Sequence, residues 1–91
     1  LISDDVGMKA LAGDFKDRTY RSLVAGCDVV LHCSGAMDEM VACARGSREL
    51  EGEAARRAVE ALDRITAPAD FDPLQGAARL AHLLNGGTAV V

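Results

Sequence analysis

Two short apolar runs separated by one amphipathic stretch constrain this chain more than any other feature. The first, Leu1-Ile2-Ser3, ends at two adjacent acids, Asp4 and Asp5. It has the character of the last residues of a buried strand. The second, Cys27-Asp28-Val29-Val30-Leu31-His32-Cys33, is closed by Ser34-Gly35 and predicts another buried strand. Between them, Val6 to Gly13 forms a connection containing two glycines. Asp14 is suited to cap a helix, with Asp17 adding a second acid to the first turn. That helix is expected to run to Ala25 and stop at Gly26, a residue type that commonly follows the last helical turn. Strand, helix and strand in this order predict a right-handed βαβ unit with parallel strands.

Beyond Gly35 the pattern is helical. Met37, Met40, Val41 and Ala44 share one helical face, and Gly46-Ser47 breaks that helix. Leu50, Ala54, Ala58, Leu62 and Ile65 form the apolar stripe of a longer helix whose outer face carries Arg, Glu and Asp. Pro68 and Pro73 bracket a loop. Leu74, Ala77, Ala78, Ala81 and Leu84 predict a last short helix, closed by Asn85-Gly86-Gly87.

Parallel strands are usually covered on both faces, so two of them do not make a sheet that stands alone. The missing neighbours are expected from upstream residues or from another chain. The sequence also opens on Leu1, without Met, inside a strand, and is therefore expected to be a fragment. The order of elements fits α/β architecture: the C-terminal strand-helix-strand-helix portion of a (β/α)8 TIM barrel, followed by extra helices. The edge of a doubly wound sheet fits equally, and periodicity does not choose between them.

Composition removes several function classes. The 91 residues make one small domain, and their net charge of -4 argues against a nucleic-acid partner. The basic residues are interleaved with acids, as in Arg48-Glu49-Leu50-Glu51, so no basic stripe forms. No apolar run approaches the ~20 residues that a membrane-spanning helix needs. Three cysteines at irregular spacings suggest no disulfide framework. Cys27, Cys33 and Cys43 read as small buried hydrophobes in a reducing compartment. With His32 they match no zinc-ligand spacing. Gly86-Gly87 follows a helix instead of preceding one, so it makes no phosphate cradle. The stretch from Arg48 to Arg64 reads as a solvated helix face, and no secretory signal is visible.

The chemistry is expected at Ser3-Asp4-Asp5-Val6-Gly7-Met8-Lys9-Ala10. Acids at the C-terminal ends of parallel strands lie where such folds build active sites. Adjacent residues of a regular strand point to opposite faces, so Asp4 and Asp5 do not both face one cavity if the strand is regular there. One is then free for catalysis while the other caps a turn. The plainer alternative is that both acids merely begin a polar loop.

The Ser-Asp-Asp stretch with Met8-Lys9-Ala10, followed by an amphipathic helix and then Ala25-Gly26-Cys27-Asp28-Val29-Val30-Leu31-His32-Cys33-Ser34-Gly35, resembles bacterial β-N-acetylhexosaminidases of glycoside hydrolase family 3. The resemblance covers residues 1 to about 45; the remainder is similar only in being helical. It implies that Asp4, directly after Ser3, is the catalytic nucleophile of a retaining mechanism with a glycosyl-enzyme intermediate. Asp5, where β-glucosidase members commonly carry Trp, favours the hexosaminidase branch. The implied substrates are terminal β-linked N-acetylglucosamine residues on muropeptide-like cell-wall fragments, recycled in the bacterial cytoplasm. The family's acid/base and its Lys-His motif lie upstream of these residues. No metal or organic cofactor is called for. Met8 and His32 are candidates for substrate binding; loop packing for Met8 and a hydrogen-bonded structural role for His32 remain open beside it. His82 reads as a surface residue.

Two other readings stand beside this one. A strand ending in Asp-Asp also resembles the acidic pocket of phosphoreceiver domains, but the next strand ends in His32-Cys33 instead of a phosphoacceptor Asp. The other is a non-catalytic, truncated barrel piece, since barrel catalysis draws residues from several strands.

Overall fold

The two apolar runs pair with each other. β1 (Ile2–Asp5) and β2 (Val29–Leu31) lie parallel in a computed structural model that describes residues 1–88. The crossover between them is α1 (Phe15–Val24). Its cap is the expected one: the Asp14 carboxylate accepts the Asp17 N–H at 2.7 Å. Gly26 ends the element at φ 117°, a conformation that disfavours any residue with a Cβ. The Cys27 N–H donates to the Ser22 carbonyl in the same turn, so β2 begins later than its apolar run does.

Three further helices follow: α2 (Met37–Gly46), α3 (Gly52–Asp63) and α4 (Pro73–Leu84). α2 packs against α1. Gly46 is its buried last residue, and a Cβ there would collide with the Lys16 carbonyl of α1. A glycine read as a helix breaker therefore also sets the closest approach of two helices. α4 starts on a side-chain cap absent from the sequence reading, with Asp72 accepting the Leu74 N–H at 2.9 Å and Pro73 in the first helical position.

The core is small. Among the described residues Val6, Thr19 and Leu23 are buried side chains, while Leu1, Ile2, Leu31, Leu62 and Ile65 are exposed. The expectation of buried strands is not met within these residues, because nothing here covers the free edges of the sheet. The accessible surface of 7427 Å² exceeds the roughly 5,000 Å² of a compact monomer of this mass. The radius of gyration, 19.1 Å, is likewise above the ~12 Å expected for this length. Together they describe a small mixed α/β unit, a two-stranded parallel sheet with four helices, that leaves much apolar surface in water. No helix is long and apolar enough to cross a membrane among the described residues.

Candidate functional site at the strand ends

The C-terminal end of β1 is irregular. Ile2 pairs with Val29 and Asp5 with Leu31, so three steps along β1 match two along β2. Ser3 takes up the mismatch. Its hydroxyl accepts the Leu31 N–H at 3.0 Å and donates to the Asp4 carbonyl at 2.8 Å. An extra residue in one strand re-aims the side chains around it. The strict alternation expected for Asp4 and Asp5 therefore does not apply: the charges of both act on one thiol, that of Cys33 at the end of β2.

The two acids are nevertheless engaged differently. Asp5 is half-buried and accepts the Gly7 N–H at 2.9 Å and a hydrogen bond from Cys33. Partial desolvation first, and the Asp5 and Asp4 charges after it, push the Cys33 thiol above its ordinary value. Asp4 is exposed, accepts only the Asp5 N–H at 2.8 Å, and makes no ion pair among the described residues.

The loop after β1 is fixed by one side chain. Arg18 of α1 donates to the carbonyls of Val6 (2.9 Å), Gly13 (2.9 Å) and Leu11 (3.0 Å), with a longer contact to that of Met8 at 3.5 Å. A guanidinium carries five donors in a rigid fork, which suits a ring of carbonyls. Its carbon also lies 5.2 Å from the centre of the Phe15 ring, and Phe15 meets His32 edge-to-face at 5.4 Å. Met8 is exposed in this loop and its N–H donates to the Asp5 carbonyl at 3.2 Å.

His32 is only 9% exposed, and its Nε2 lies 2.7 Å from Glu39 Oε2. A carboxylate can only accept, so Nε2 carries the proton in this pair. Ser34 accepts the Ala36 N–H at 3.2 Å and donates its own proton to the same Glu39 oxygen. Its 3.1 Å approach to His32 Nε2 is thus left without a proton to share. A nucleophilic triad would need Ser and acid on opposite ring nitrogens; here both meet Nε2, so Ser34 is not activated. The Ser34 and then the His32 hydrogen bonds hold the Glu39 carboxyl below the usual carboxylate range, and the nearby Asp5 charge opposes them.

The structure thus brings Asp4, Asp5, Cys33, Ser34, His32 and Glu39 to one end of the sheet. Sequence reasoning missed Glu39 and Arg18, although Glu39 follows His32 by seven residues and begins the helix after β2. It also took all three cysteines as buried, whereas Cys33 is exposed and Cys27 and Cys43 are half-buried. All three are free thiols. The solvated face of α3 is confirmed at Arg56, paired with Glu53 and Glu60. Arg57 and Arg48 differ, reaching inward to Asp28 at 2.8 Å and to the Leu23 carbonyl at 3.4 Å. His82 is exposed, as read.

A concavity of about 580 Å³ lies elsewhere, between α1, β2 and the α2–α3 connection, with Leu23, Val29, Cys43 and Arg57 in its wall. His32 lines it too, but Asp4 and Asp5 do not. Of the residues gathered at the strand ends, His32 alone is in the wall of this concavity. No cluster of three or more His, Cys, Asp or Glu is arranged to hold a metal ion among the described residues. Family models, curated proteins and solved structures compared with the chain gave no match.

Proposed function

We propose that this chain forms the closing strands of a (β/α)8 barrel β-N-acetylhexosaminidase, with Asp4 as its nucleophile. The observation that carries the reading is the contrast between Asp4 and its acidic neighbours. Asp5 is half-buried and tied to Gly7 and Cys33, and Glu39 is half-buried and tied to the His32 and Ser34 side chains, whereas Asp4 is exposed and accepts only a backbone N–H, that of Asp5. The open sheet edges and surplus apolar surface support the barrel, since parallel strands require covering neighbours.

In this mechanism the Asp4 carboxylate attacks the anomeric carbon of a terminal N-acetylglucosamine. The glycosidic bond breaks and the leaving oxygen takes a proton from an acid. Water then cleaves the glycosyl ester, which restores the carboxylate. The resemblance implies that this acid lies upstream of these residues, and a carboxyl held low like Glu39 suits the task poorly. Muropeptide-like fragments in the bacterial cytoplasm are the substrates that the sequence resemblance implies.

The reading is tested by grafting residues 1–91 onto a characterised family 3 hexosaminidase in place of its last two strand-helix units. The graft should release p-nitrophenol from its N-acetyl-β-glucosaminide, and the Asp4→Asn graft should not. The isolated chain should show no detectable turnover, since barrel sites draw on several strands. An Asp4→Asn graft as active as its parent would remove Asp4 from the chemistry.

A further inference from the structure

Glu39 is the acid at the strand ends whose role the catalytic reading leaves open. Both of its donors, the His32 Nε2–H and the Ser34 hydroxyl, bind Oε2. Oε1 makes no hydrogen bond among the described residues, and the side chain is 29% exposed. The carboxylate is thus locked in place from one side and open on the other. Its lock has depth: His32 is nearly buried, held edge-on by Phe15, which in turn lies against Arg18. Glu39 meets His32 and Ser34 directly after β2, and Leu31 of β2 pairs with Asp5 of β1, so this carboxylate lies at the same end of the sheet as Asp4 and Asp5.

We infer that Glu39 Oε1 accepts a hydroxyl group of the sugar that Asp4 attacks, with His32 and Ser34 as its positioning residues. This rests on the glycosidase reading and adds a specificity contact to it. An ionised, pre-oriented carboxylate is a strong acceptor for a hydroxyl donor, and no rotamer has to be ordered when the ligand arrives. A polar contact of this kind discriminates far better than an apolar wall between sugars differing by one hydroxyl, because the analogue lacking it leaves the acceptor unpaired.

The test is an amide-resolved NMR titration of the full chain with methyl N-acetyl-β-glucosaminide and its 3-, 4- and 6-deoxy analogues. A weak complex is expected, with Kd on the order of 10 mM and shifts at Asp4–Gly7 and Ser34–Glu39. Glu39→Gln should weaken the parent sugar about tenfold and leave one deoxy analogue unaffected. Ser34→Ala, which keeps both Glu39 oxygens, should weaken it less. Equal binding by wild type and Glu39→Gln, or equal losses across all the analogues, would overturn the role of Glu39 and spare the glycosidase reading. Absence of any shift at Ser34–Glu39 in the wild-type chain would likewise overturn the role of Glu39 and spare the glycosidase reading, which the graft tests.

Discussion

The Ser3 hydroxyl occupies the place that a backbone carbonyl would hold opposite Leu31: it accepts the Leu31 N–H at 3.0 Å and passes its own proton to the carbonyl of Asp4. One side chain thereby absorbs the extra residue of β1 and fixes the backbone at Asp4. Ser3→Ala leaves that N–H without its acceptor, and should cost about 1–2 kcal/mol in urea unfolding. In the grafted barrel the proposed nucleophile would be misplaced while other sugar contacts persist, so kcat should fall more than KM rises.

Arg18 should matter more for stability than its partial exposure suggests. Removing it strips three good hydrogen bonds from the loop carbonyls of Val6, Leu11 and Gly13. Arg18→Met, which keeps the apolar stem, should lose about 2–4 kcal/mol by urea unfolding. Arg18→Lys should recover little of this, since an ammonium cannot span three carbonyls. Full rescue by Lys would show that charge, and not the fork, holds the loop.

Cys33 is exposed yet should be a slow nucleophile. Its thiol is pushed above 9.0, first by desolvation and then by Asp5 and Asp4. Iodoacetamide alkylation followed peptide by peptide should give a pH-rate midpoint above 9.0 at this site. Asp5→Asn should bring that midpoint down, because the Asp5 charge acts on the thiol more strongly than that of Asp4. An unchanged midpoint would mean that Asp5 does not govern the thiol.

Glu39 should confer acid-sensitive stability. Its folded-state value lies below the ordinary 4.5, so the ionised form is favoured by folding. The stabilisation is complete above that ordinary value and fades as pH falls through the folded one. Wild type should therefore melt above Glu39→Gln at neutral pH, with the gap closing below pH 4.5. A gap that widens on acidification would reverse the sign of the His32–Glu39 contact.

Much of the fold was legible because it rests on local signals. The Asp14 cap and the Gly26 stop need only neighbours in sequence and appear where they were read, and the two apolar runs do pair as strands, although β2 is shorter than its run and neither strand is buried. The site was legible only in part. Asp4 stood out by its position at the C-terminal end of a strand, but strand irregularity is a tertiary property, so the relation of Asp4 to Asp5 could not be read from alternation. Glu39 was hidden because an acid in a helical first turn is so ordinary; only the folded arrangement sets it against His32. Arg18 was hidden for a similar reason, since its partners are backbone carbonyls, which leave no mark in the sequence.

The central claim is that the Asp4 carboxylate bonds to the sugar, and a trapped adduct tests it most directly. The grafted barrel would be incubated with a 5-fluoro-N-acetylglucosaminyl fluoride, digested, and its peptides analysed by mass spectrometry. The account predicts one added sugar, carried by the peptide containing Asp4 and lost in Asp4→Asn. A sugar found on any other carboxylate, with Asp4 unmodified, would contradict it.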